Sequence, residues 1–106
     1  MTEADTRVRL DLNNPVFQEN LLSLQKPERL AAIDTLAKLR RMHWEQVYRD
    51  KGLHWEKITS IEPPPGIAAV YSLRITRSRR ATAYRDGNFI RLLIIAPDHD
   101  STYGRK

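Results

Sequence analysis

After a short polar start, apolar and polar positions alternate. Val8, Leu10 and Leu12 are spaced by Arg9 and Asp11, the period of a strand with one buried face. Asn14 then predicts a helix N-cap, and Pro15 suits the first turn. Phe17, Leu21 and Leu24 recur at i, i+4 and i+7, so this helix is short and amphipathic. Lys26-Pro27-Glu28 opens a second helix with an apolar stripe of Leu30, Ile33, Leu36, Ala37, Trp44, Val47 and Tyr48, and Lys51-Gly52 is its stop signal. A link of two or three residues folds such a pair into an antiparallel helical hairpin laid on a sheet. Leu53 to Ile61 is mixed, and Glu62-Pro63-Pro64-Pro65-Gly66 is a stiff connector that suits neither helix nor central strand. Three strands follow, Ala69 to Thr76, Arg80 to Arg85 and Asn88 to Ile95, with Asp86-Gly87 as the turn between the last two. Pro97 ends the pattern, leaving a polar tail in which Tyr103 is the one aromatic. The expected architecture is α+β: an N-terminal strand and a helical hairpin packed on one face of an antiparallel sheet, in two layers.

Composition narrows the function classes. A chain of 106 residues forms one domain, 1–106, since a domain of this size buries roughly 60–70% of its unfolded surface and has no core left for a second unit. With 41% hydrophobic and 29% charged residues, disorder throughout is excluded. The absence of cysteine removes disulfide scaffolds, zinc fingers and thiol catalysis, and suits a reducing cytoplasm. No apolar run reaches the ~18 residues of a membrane span, and residues Met1 to Thr6 lack the basic start of a signal peptide. The expected location is the cytoplasm, with no membrane partner.

The charge changes the picture more once it is located. Between Ser72 and Arg91 lie Arg74, Arg77, Arg79, Arg80, Arg85 and Arg91 against Asp86 alone, a balance equal to the +5 of the whole chain. The excess is all arginine, whose planar fork matches phosphate. A polyanion is the indicated partner, and nucleic acid precedes a membrane surface because no basic amphipathic helix accompanies the cluster.

A two-residue Asp86-Gly87 turn pairs Arg85 with Asn88, Tyr84 with Phe89, Thr82 with Arg91 and Arg80 with Leu93. One face of the sheet then carries Arg80, Thr82, Tyr84, Phe89 and Arg91. The other carries Ala81, Ala83, Ile90, Leu92 and Ile94, and is the side the helices cover. A three-residue loop of Arg77, Ser78 and Arg79 sets Thr76 opposite Arg80 and Arg74 opposite Thr82, keeping Tyr71, Leu73 and Ile75 on the covered side. Neighbouring strands lie ~4.8 Å apart and i, i+2 residues ~6.7 Å apart, so Arg74, Arg80 and Arg91 are expected to converge on one or two phosphates, with Arg77 and Arg79 at the rim. A face that only needed solvation would mix signs, because cross-strand pairs of opposite charge ease repulsion.

Tyr71-Ser72-Leu73-Arg74-Ile75, then Arg80, Tyr84, Asp86-Gly87 and the closing His99 to Tyr103 segment, make the chain resemble the RelE/ParE superfamily of bacterial toxins. The resemblance covers most of the chain. It implies the toxin of a type II toxin–antitoxin pair, bound and neutralised by a cognate antitoxin. In the RNase branch it implies cleavage of mRNA on the ribosome; in the ParE branch, the alternative, it implies inhibition of DNA gyrase without catalysis. Arg74 matches the basic position of the strand before the hairpin, Arg80 the arginine that opens the next strand, and His99 and Tyr103 the terminal pair. Ser72 stands where several relatives carry lysine, the glycine usual in the first hairpin is missing from Arg77-Ser78-Arg79, and the tail runs only three residues past Tyr103, all of which count against a lysine-based mechanism.

Cleavage by 2′-hydroxyl attack needs a base, cations for the phosphorane and an acid for the leaving 5′ oxygen, with no metal or cofactor. Arg74, Arg80 and Arg91 are the cations; His99 is base or acid; Tyr103 donates a proton or stacks on a base. Arg77, Arg79, Arg91, Thr82 and Tyr84 are the expected RNA contacts. The echoed His43-Trp44-Glu45 and His54-Trp55-Glu56 are not read as metal sites, because deaminase-type His-x-Glu motifs require cysteine ligands. Trp44 is expected in the core beneath the sheet, and Trp55 as a plug at its edge.

Overall fold

In the structure, a computed structural model, residues 5–96 are described. His99 and Tyr103 lie outside them. The chain forms β1 (Arg9–Asp11), α1 (Pro15–Leu22), α2 (Lys26–Leu39), α3 (Trp44–Arg49), β2 (Glu56–Ile58), β3 (Val70–Arg74), β4 (Arg80–Asp86) and β5 (Phe89–Ile95). These make one five-stranded sheet in the order β1-β5-β4-β3-β2. Neighbours are antiparallel except β1, which runs parallel to β5 with Leu10 opposite Ile90. The helices cover one face, and the α+β expectation holds.

Local signals explain most of the elements. Asn14 Oδ1 accepts from the amides of Val16 (2.8 Å) and Phe17 (3.4 Å), with Pro15 opening α1. Phe17, Leu24, Leu36, Leu39, Trp44 and Val47 meet Leu73, Ala81, Ala83, Ile90 and Leu92 in one apolar core. No helix among the described residues is long and apolar enough to cross a membrane.

The second helix does not run through to Lys51. It stops at Leu39, and α3 begins at Trp44. The intervening backbone is captured by the N-terminal segment: Val8 N donates to Met42 O and Trp44 N to Thr6 O, both 2.9 Å, with Arg7 bridged to His43. His43 N then donates to Gln46 Oε1 at 2.7 Å as the new helix starts. This break changes the buried stripe. Ala32, Leu36, Leu39 and Met42 face the core, whereas Leu30, Ile33 and Tyr48 are 52%, 45% and 54% exposed, so the expected stripe is corrected at those three positions.

The sheet departs from the expected register in three places, each with a physical cause. The β4–β5 turn is Gly87-Asn88, with Asp86 opposite Phe89 and Gly87 at φ 62°, a region open to glycine. A bulge between Thr82 and Ala83 sets Thr82 opposite Ile94; Ile95, not Ile94, therefore enters the core, and Ile94 is exposed. The β3–β4 loop spans five residues rather than three, and Arg74 faces Arg80 instead of Thr82. Thr76 is responsible. Its hydroxyl donates to Glu28 Oε2 (2.9 Å) and accepts from the amides of Ser78 (3.3 Å) and Arg79 (3.1 Å), turning the chain two residues before the ladder would have ended. A slip of two preserves the faces, so Leu73 and Ile75 remain buried.

Candidate nucleic-acid interface on the open sheet face

The register places Glu56, Ser72, Thr82 and Ile94 in one row across the open face. Arg74 and Arg80 form the next pair toward the β3–β4 loop. Arg80 is the organising side chain: Nε and Nη2 both donate to Ser72 Oγ (3.1 and 2.9 Å), Nη2 also donates to the carbonyl of His54 (2.9 Å), and Glu56 Oε1 lies 3.6 Å away. Its Nη1 has no acceptor among the described residues. Arg74 and Arg77 are exposed and have no carboxylate partner among them either. With Ser78, Arg79 and Arg80 they line a hollow of about 260 Å³.

The other arginines of the cluster are engaged within the fold. Arg79 Nε sits 2.9 Å from Glu28 Oε1, as an ion pair whose N–H is angled off the oxygen. Arg91 is clamped between Asp11 (2.5 Å) and Asp86 (2.9 Å), which raises its affinity for the proton. It stands opposite Tyr84, four residues along β4 from Arg80, or roughly 13 Å at ~3.3 Å per residue. The expected convergence of Arg74, Arg80 and Arg91 and the row through Thr82 are thus corrected: the pair is Arg74 and Arg80, and Arg91 lies apart. Arg85 faces the helices, with its guanidinium 4.2 Å over the Trp44 ring and Nη1 donating to Tyr48 Oη at 2.8 Å. Trp44 is buried as expected, and Trp55 stacks on Tyr71 at the sheet edge, 4.8 Å between centroids.

Two features escape the sequence reading. His54 and Glu56 join the arginine pair because the short strand β2 is added beside β3. A second basic hollow of about 480 Å³, lined by Arg7, Arg9, Arg40 and Phe89 among others, opens where β1 meets β5. Among the described residues no three metal-ligating side chains cluster.

The ion pairs give the site an acid limit. The Asn13 amide and the Arg91 guanidinium hold the Asp11 carboxyl below its ordinary value. Burial pushes Glu28 up, but the Arg79 guanidinium beside it and hydrogen bonds from Ser78 and Thr76 outweigh it, and the net shift is downward. Burial likewise opposes a net lowering of Asp50, where the Leu53 amide and Lys38 prevail. Carboxyls depressed in the folded state add stability that is present above their unfolded values and lost as pH falls through the folded ones. The urea midpoint should therefore be flat from pH 7 to about 5 and drop steadily below ~4.5, with a shallower drop in Glu28→Gln. A midpoint independent of pH down to ~3 contradicts this assignment.

No family model matches the chain, and no curated protein does. Among solved structures, the chain is similar to one in the archaeal RelE–RelB complex from Pyrococcus horikoshii OT3, with a TM-score of 0.57 and 20% identity over 89% of this chain and 96% of that one. The likeness extends over nearly the whole of both chains, and the chain has the RelE-like fold.

Proposed function

We propose that the protein is the toxin of a toxin–antitoxin pair and cleaves mRNA at the Arg74–Arg80 end of its sheet, in the cytoplasm, on translating ribosomes. One observation carries the reading: on a RelE-like fold, Arg74 and Arg77 stand without carboxylate partners among the described residues beside Arg80, whose Nη1 is unengaged. An in-line attack by a 2′-hydroxyl builds negative charge on the phosphoryl oxygens, and fixed guanidinium donors are most effective where that charge develops. Arg74 and Arg80 take this role and Arg77 guides the backbone. Arg79 frames the loop, while Thr82, Tyr84 and Arg91 lie farther along the face, where the continuing RNA passes. His99 and Tyr103, in the tail, are further proton donors or stacking groups under the same reading. A small acidic antitoxin covers the arginine end, in line with the RelE–RelB pairing of the similar structure.

Incubating the protein with translating ribosomes and mapping RNA 5′ ends tests the proposal. New 5′-hydroxyl ends that vanish when the antitoxin is added are expected. Intact RNA together with blocked gyrase supercoiling would overturn it in favour of the non-catalytic ParE-type activity.

A further inference from the structure

His54 is the one non-glycine residue among the described positions with positive φ, at 51°, a conformation that a β-carbon disfavours. Its backbone is held there from three sides. His54 N donates to Asp50 O (3.2 Å), Arg74 N takes the preceding carbonyl of Leu53 (2.7 Å), and Arg80 Nη2 takes the carbonyl of His54 itself (2.9 Å). The Arg80 side chain thus holds this residue directly, while the Arg74 main-chain amide holds the carbonyl before it, and a backbone outlier so over-determined is a marker of function. The side chain is equally placed. His54 Nε2 lies 3.3 Å from Glu56 Oε1, the same oxygen that faces Arg80 at 3.6 Å. Imidazole and guanidinium meet at a single carboxylate atom, and the imidazole is half exposed.

We propose that His54 is the catalytic base of the arginine site and Glu56 its positioning carboxylate, an inference that rests on the RNA-cleaving reading above. The carboxylate at Nε2 favours the tautomer protonated there, leaving the lone pair of Nδ1 for the substrate, the logic by which an acid residue orients a histidine base. Nδ1 takes the proton of the ribose 2′-hydroxyl. The 2′ oxygen forms its bond to phosphorus, and the bond from phosphorus to the 5′ oxygen breaks. The products are a 2′,3′-cyclic phosphate and a 5′ oxygen that takes a proton from solvent. The imidazolium, paired with Glu56 while it exists, returns its proton to water, so the reaction is an isomer exchange that consumes no co-reactant.

The test is cleavage of mRNA on translating ribosomes by the full chain and its variants. His54→Gly relieves the positive φ, and His54→Asn tolerates it, so both are expected to fold, as circular dichroism will show. Each should cut ~10²–10⁴-fold more slowly, the usual contribution of a positioned proton-transfer group, with ribosome binding unchanged. Free imidazole should restore part of the activity of His54→Gly. Glu56→Gln should lose about tenfold, as second-layer partners do. A substrate with sulfur in place of the bridging 5′ oxygen, whose departure needs no acid, should leave the His54→Gly defect in place. Cleavage within about threefold of wild type, a loss that imidazole leaves untouched, or recovery on the sulfur substrate overturns the inference alone. No cleavage by the wild-type chain overturns both it and the reading on which it rests.

Discussion

Arg80→Ala is expected to end growth arrest on induced expression and to lower RNA cleavage by ~10²–10³-fold, the effect of removing one preorganised donor from a developing oxyanion. The side chain is positioned by Ser72 Oγ through two nitrogens and by the His54 carbonyl, so its Nη1, unengaged among the described residues, is aimed without further cost in side-chain entropy. Arg80→Lys should recover little, because a compact ammonium lacks the planar fork that spans Ser72 and the His54 carbonyl while aiming a further N–H at phosphate. Arg74→Ala should be nearly as severe. Both positions are at least partly solvent-exposed at the sheet surface, so thermal unfolding should shift by only a few degrees, which separates lost chemistry from lost fold. Full toxicity in both alanine variants would sink the proposed role of this face.

Elements governed by neighbours in sequence were legible: the Asn14-Pro15 cap, the alternation through β4 and along β5 as far as Leu92, and the burial of Phe17, Leu73 and Ile90 all follow from period and local chemistry. Features made by distant partners were not. The helix breaks at Leu39 because backbone near Thr6 and Val8 bonds to Met42 and Trp44, and nothing in the spacing of residues 40–43 announces that competitor. The slip that sets Arg74 against Arg80 arises from Thr76 reaching Glu28, 48 residues away in the chain. Arg91 was legible as a charge on the open face, but its neutralisation by Asp11, 80 residues away, was not. β2 has three residues and no periodic signature, and with it His54 and Glu56 were hidden from the site. The arginine cluster was therefore visible as composition, while its division into engaged and free members depends on tertiary pairing.

That same division rests on a scaffold whose centre is Trp44, and Trp44→Ala should be the most destabilising single truncation in the chain. The indole is 2% exposed. Its Nε1 donates to Asn88 O at 3.0 Å, tying α3 to the β4–β5 turn. Trp55 meets it edge-on at 5.4 Å, Tyr48 lies tilted at 5.7 Å, and the Arg85 guanidinium covers its face. Removing a buried tryptophan costs ~3–5 kcal/mol, because the surroundings only partly collapse into the void. Here Arg85 also loses its aromatic platform, and the Asn88 carbonyl loses its donor. Against the ~5–15 kcal/mol that holds a domain of this kind together, such a loss lowers the melting temperature by roughly 15–30 °C. Trp44→Phe keeps most of the apolar volume and should forfeit only ~1–2 kcal/mol, mainly the hydrogen bond. Trp55→Ala, at a half-buried edge with no partner for its own Nε1 among the described residues, should fall between the two. Urea unfolding of the three variants beside wild type reads the order directly. A loss under ~1.5 kcal/mol for Trp44→Ala would mean that the contacts around this ring do not anchor the helices to the sheet.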